Sequence, residues 1–77
     1  MKALHYINQF FGQLGGEDSA YAPLEYREGT VGPGNVLQKM LKGIEIVGTV
    51  VCGDNYFVEN TEKVQEELAA ILDEKEI

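Results

Sequence analysis

Between residues 12 and 34 lie six of the chain's nine glycines and both of its prolines. Glycine raises the entropic cost of ordering and proline removes a backbone donor, so that density forbids a long regular element there. Whatever is regular must sit on either side. Residues 12–35 therefore read as one extended loop. A loop of this length is unusual inside a compact domain and more often contacts a ligand or a partner than waves in solvent. Its Tyr21, Leu24, Tyr26 and Val31 point the same way, because a merely solvated loop has little use for them.

Ahead of the loop, residues 2–11 mix β-branched, aromatic and aliphatic side chains and predict a mostly buried first strand. Behind it, Val36, Leu37, Met40 and Leu41 have the spacing of a short helix face, which Gly43 stops. Asn35 and Pro33 are both standard helix-start signals, and the sequence leaves the choice between them open. Residues 44–52, Ile-Glu-Ile-Val-Gly-Thr-Val-Val-Cys, are the clearest strand, rich in β-branched residues and expected to be buried on both faces. Gly53, Asp54 and Asn55 end it. Asn60 then caps a final helix whose Val64, Leu68, Ile71 and Leu72 repeat at helical spacing.

The resulting order is strand, loop, helix, strand, turn, helix. It predicts an α/β fold, the βαβα opening of a Rossmann-like or flavodoxin-like parallel sheet, with residues 1–77 as a single α/β domain or domain fragment. Two strands do not finish such a sheet. Buried parallel strands need neighbours on both sides and helices on both faces, so the missing strands are expected from another chain, a second copy or further residues. Seventy-seven residues also stand near the lower limit for one core without disulfides or metals.

Charge narrows the partners. Thirteen acidic residues against six basic ones give a net charge of −7, which repels nucleic acid and anionic membrane surfaces. Most of the acids follow residue 50, as expected of a solvated face on the terminal helix. No apolar run approaches the roughly 20 residues of a spanning helix. The start Met1-Lys2-Ala3-Leu4-His5-Tyr6 lacks the apolar core of a signal peptide, and the single Cys52 cannot form an internal disulfide. A cytoplasmic location is expected.

Chemistry-bearing residues are few. Arg27 is the only arginine and lies in a glycine-rich approach to a helix start, a combination suited to gripping a carboxylate or phosphate. Pairing with Glu25 or Glu28 would explain it equally well. Cys52 ends a strand, where open α/β sheets bind ligands, but a free cysteine after Val50-Val51 is more often a small buried hydrophobe. Asp54 and Asn55 could bind a ligand at that strand end or simply cap a turn. His5 has no second histidine to complete a metal site, and no metal is assigned. No GxGxxG or Walker pattern supports a nucleotide. The candidate substrate- or partner-binding residues are thus Arg27, Glu28, Gly32, Gly34 and Asn35 in the loop, and Cys52, Gly53, Asp54 and Asn55 at the strand end; no catalytic residue is identified.

Five blocks carry a resemblance: His5-Tyr6-Ile7-Asn8-Gln9-Phe10-Phe11-Gly12, Gly15-Gly16-Glu17, Arg27-Glu28-Gly29, Val31-Gly32-Pro33-Gly34, and Val51-Cys52-Gly53-Asp54-Asn55-Tyr56-Phe57. In this order and with these gaps they resemble the component B selenoprotein of glycine, sarcosine and betaine reductases, and more distantly the D-proline reductase selenoprotein. The resemblance implies an oxidoreductase complex of amino-acid fermentation. In that scheme component B takes a glycine-like substrate, transfers its carbon skeleton to a selenocysteine and releases the amine, while a partner subunit carries a pyruvoyl group. The family's selenocysteine lies far downstream of the region matched. This sequence has neither selenocysteine nor a CxxC pair. It is therefore expected to be a subunit or fragment of such a reductase that lacks the nucleophile, or else a non-catalytic assembly module derived from the family. Either way it would bind other reductase subunits or a second copy of itself, with a small amino-acid-like substrate as a further candidate and no cofactor in this chain.

Overall fold

A computed structural model describes residues 1–77. Three strands and three helices follow in the order β1 (Lys2–Asn8), β2 (Glu25–Glu28), α1 (Gly34–Met40), β3 (Glu45–Cys52), α2 (Asp54–Glu59) and α3 (Thr61–Glu74), with one short 3-10 turn at Glu17–Ser19. The sheet order is β1-β3-β2. β3 takes the centre because it alone carries a continuous β-branched run, and from Thr49 to Cys52 it is fully buried. β1 lies parallel to it, with Asn8 opposite Cys52.

β2 corrects the expectation of an all-parallel unit. It runs antiparallel to β3, placing Glu25 opposite Val51 and Glu28 opposite Gly48, so the sheet is mixed. The strand lies inside the region read as loop. Glu-Tyr-Arg-Glu is too short and too charged to announce itself by composition, yet an antiparallel edge strand on a parallel pair is a common arrangement.

Other boundaries also move. β1 stops at Asn8, where the amides of Gly12 and Leu14 turn back to the carbonyls of Asn8 and Gln9 at 2.9 Å each. It is also less buried than predicted, because it stands at an edge: Ile7 is its only buried residue. Pro33, not Asn35, occupies the cap position of α1. The helix ends at Met40, and Gly43 supplies the positive φ of 75° that turns the chain into β3. Asp54 begins a helix of its own before the final one, and Asn60 stands at the start of α3 without capping it, since its side-chain amide donates back to the Tyr56 carbonyl at 3.0 Å.

Successive residues of β3 face opposite layers. One face holds Tyr6, Tyr26, Gly48, Val50 and Cys52 beneath α2 and α3. Here Tyr6 meets Phe57 edge to face with ring centroids 6.0 Å apart, and Lys75 lies over Tyr26 at 4.9 Å. Gly48 is small because Tyr26 crosses it: a Cβ there would collide with the ring. The other face holds His5, Ile7, Thr49 and Val51 beneath the loop and α1. Gly12 packs on Val51, Gly34 on His5, and the Thr49 hydroxyl donates to the Gly29 carbonyl at 2.8 Å. Val64 is the only fully buried residue of α3. The apolar face of α1 finds no cover, with Val36 62% and Met40 74% exposed.

Candidate functional site

The parallel register brings the ends of β1 and β3 together, so residues that follow them meet although they are more than forty positions apart. Gln9 is buried, and its Oε1 accepts a hydrogen bond from the Asp54 amide at 3.0 Å. In return, Asp54 Oδ2 accepts from Asn8 Nδ2 at 3.3 Å and from Gln9 Nε2 at 3.5 Å. Both side-chain amides thus point at one oxygen of an exposed carboxylate just past the strand end, at the long end of hydrogen-bond range.

Beside it opens a cleft of about 250 Å³ lined by Tyr6, Asp54, Phe57 and Val58. Its position fits the rule that open α/β sheets bind ligands beyond the carboxyl ends of their strands. Gly53 is required at its base. A Cβ there would collide with the Ala20 carbonyl, and the Gly53 amide donates to Ala22 O at 2.9 Å. The same Ala20 carbonyl accepts from the amides of Asn55 and Tyr56 at 2.8 and 3.0 Å. The start of α2 therefore offers no free amides to an anion.

Cys52 lies fully buried under the cleft with its thiol beside the Tyr6 hydroxyl. Burial pushes the thiol up from its ordinary value, the Tyr6 hydroxyl opposes the shift, and the charges of Glu67 and Asp54 add to it. Tyr6 is raised as well, by burial first and then by Cys52. Such a thiol stays protonated at neutral pH, the opposite of what a nucleophile needs. Asn55 is exposed at the rim.

The loop candidates do not join this cluster. Arg27, opposite Thr49 on the other face, pairs through Nε with Glu25, and its Nη1 donates to the Gly12 carbonyl at 3.3 Å. Glu28 accepts from Lys75 at 3.1 Å. Gly32 has φ +57°, and a Cβ there would come within 2.6 Å of the Phe11 carbonyl, so it serves loop geometry. Gly34 is buried against His5, and Asn35 Oδ1 accepts from the Thr30 hydroxyl at 2.5 Å. Sequence reasoning missed Asn8, Gln9, Tyr6 and Phe57 as site residues. The available signal was the pair of polar residues closing β1, which a parallel register with Asn8 opposite Cys52 brings next to Gly53-Asp54.

Residues 1–77 match the model of the family described as glycine/sarcosine/betaine reductase selenoprotein B. Among curated relatives, the glycine reductase complex component B subunit gamma of Carboxydothermus hydrogenoformans is 49% identical over 75 residues, 95% of this chain and 17% of that protein. The sarcosine reductase complex component B subunit beta of Peptoclostridium acidaminophilum is 45% identical over 73 residues, 94% of this chain and 17% of that protein. From the same organism, the betaine reductase complex component B subunit beta is 40% identical over 75 residues, 97% of this chain and again 17% of the relative. This chain thus spans about one sixth of the length of the relatives it matches. No solved structure matches it. The match over its whole length establishes that the chain belongs to the glycine/sarcosine/betaine reductase selenoprotein B family.

Proposed function

We propose that this chain serves as one structural piece of a component B in a reductase complex for glycine, sarcosine or betaine, and that its open sheet is completed at β1 by further polypeptide. The chain supplies the floor of a cleft at the strand ends and leaves the nucleophilic step to a selenocysteine carried elsewhere. The observation that carries the reading is the cleft itself. Asn8, Gln9, Tyr6, Asp54 and Phe57 build it, and they fall within two of the five blocks of sequence that carry the resemblance. Supporting it is the free edge of β1, because a parallel pair exposed on one side leaves backbone donors and acceptors without partners.

The test is complementation. A relative such as the Carboxydothermus subunit, deleted for the segment this chain matches, is co-expressed with the 77-residue chain. Co-purification together with restored reduction of glycine, sarcosine or betaine is the expected result. Failure of the two polypeptides to associate, when each is folded and soluble, would overturn the reading.

A further inference from the structure

β1 is an edge strand whose outward groups can be read residue by residue. The Met1 carbonyl accepts from the Glu45 amide at 2.8 Å, so the backbone groups of odd-numbered residues face β3. The one irregularity of register, the extra residue Val47, lies in β3 and leaves the alternation of β1 intact. The amides and carbonyls of Lys2, Leu4 and Tyr6 therefore point away from the sheet, where no strand of the chain meets them. The side chains of Lys2, Leu4, Tyr6 and Asn8 share the face of α2 and α3, while Ala3, His5 and Ile7 share the face of α1. Charge is split between the two ends of the strand. Lys2 is exposed at its start, and at its finish the exposed Asp54 carboxylate accepts from Asn8 at 3.3 Å.

We infer that, in the free chain, β1 pairs antiparallel with β1 of a second copy about a two-fold axis through His5, each Lys2 reaching the other copy's Asp54. The inference deepens the reading above, from which it takes only that β1 is to be completed. Identical edges meet in this way because a two-fold axis normal to the sheet uses the same surface on both copies and closes the assembly. The axis keeps each face of the sheet on its own side, so it must pass through a residue rather than between two. With His5 on the axis the whole of Lys2–Asn8 is paired; with Leu4 or Tyr6 there, one end of the strand is left over. The His5 register also sets Leu4 opposite Tyr6 and Ala3 opposite Ile7, apolar against apolar, and Lys2 opposite Asn8. Each ammonium thereby meets a carboxylate that its own chain cannot offer, since the length of β1, roughly 20 Å, separates the two within one copy. Leu4 of the copy comes to rest against Tyr6 at the mouth of the cleft, so each copy contributes to the other's site. Pairing β1 with β2 of a copy is disfavoured, because β2 is short, carries three charges and would leave a free β1 at the end of an open row of copies.

Disulfide trapping in the 77-residue chain tests the register. In antiparallel pairs whose backbone groups face away from each other, Cα atoms stand about 4.5 Å apart, within the range of a disulfide. On a Cys52→Ala background, mild oxidation of His5→Cys is expected to give a covalent dimer. Ala3→Cys and Ile7→Cys, each with its Cα roughly 14 Å from the same position in the copy, should cross-link only when the two variants are mixed. Charge exchange tests the pairing without cysteine, should His5→Cys disturb the fold. Lys2→Glu and Asp54→Lys should each weaken dimerisation about tenfold in sedimentation, although they move the net charge in opposite directions. The double variant should return to within about twofold of the parent, because its ion pairs re-form only between copies. A monomer in sedimentation, cross-linking of Ala3→Cys with itself in preference to His5→Cys, or a double variant as weak as the single ones would each overturn the inference. None of these outcomes bears on the pairing of β1 with a different polypeptide, which co-purification tests separately.

Discussion

The two edges of the sheet are built on opposite plans. β2 is four residues long, and three of them are charged: Glu25 pairs with Arg27, and Glu28 with Lys75, whose ammonium also covers Tyr26. Short, charged strands of this kind discourage a further strand from pairing. β1 has seven residues, with Lys2 its only carboxylate- or ammonium-bearing side chain. Around it Tyr6 is 40% exposed, Phe10 65% and Phe11 53%. The contrast sets a short, charged edge at β2 against a longer, nearly uncharged edge at β1, the one proposed above to be completed by further polypeptide.

The largest effect should come from the strand both edges share. Val50→Ala removes two methyl groups from a site with no exposure, and a loss of roughly 2–3 kcal/mol is expected in urea unfolding, within the lower range for large-to-small core changes. A loss under about 0.5 kcal/mol, the lower end of even Ile→Val changes, would mean that β3 is not the centre of the core.

Association should distinguish the edges next. At micromolar concentration the isolated chain is expected to sediment as an oligomer through β1. Leu4→Lys sets a charge on that strand and should weaken association about tenfold, equivalent to about 1.4 kcal/mol. The matching change on β2, Glu28→Lys, should shift it by less than about twofold. A reversed ranking would exchange the roles of the two edges.

Arg27 offers a smaller test. Arg27→Ala is expected to cost about 0.5 kcal/mol, because its ion pair is partly solvated, and to leave association unchanged. Loss of association in this variant, with thermal stability intact, would return Arg27 to the role of a binding residue.

The slightest effect is one of pH. The folded state raises Tyr6 on β1, Cys52 on the central β3 and Tyr26 on β2. For each, folding favours the protonated form, so the unfolded chain ionises first and binds fewer protons once pH exceeds its ordinary value. Their contribution is therefore complete below the ordinary thiol range of about 8.5 and is lost progressively as pH rises through the raised values. Thermal midpoints should fall between pH 8 and pH 10, and less steeply in Cys52→Ala. Equal slopes in both proteins would remove the buried thiol from the account.

How much of this was legible depended on whether a signal was local. The β-branched run of residues 44–52 announced β3 to within one residue, since burial on both faces needs that composition. Asp54 was legible as a polar residue ending a strand. β2 was hidden because its pairing energy comes from β3 rather than from its own four residues. The partnership of Gln9 with Asp54 depends on the register of two distant strands, so neither residue signals it alone. Arg27 left two readings open for the complementary reason: an isolated arginine among glycines looks the same whether it awaits a ligand or already holds Glu25, and the fold shows the Glu25 pair.

The central claim, that β1 is an edge to be completed, is most directly tested by amide hydrogen exchange. Rates in the 77-residue chain, diluted below its association range, would be compared with those in the chain co-assembled with a relative lacking the matched segment. Residues 2–8 should gain protection of about tenfold or more on assembly, while residues 25–28 exchange at unchanged rates. Protection confined to residues 25–28, or no change at residues 2–8 in a complex that has formed, would contradict the account.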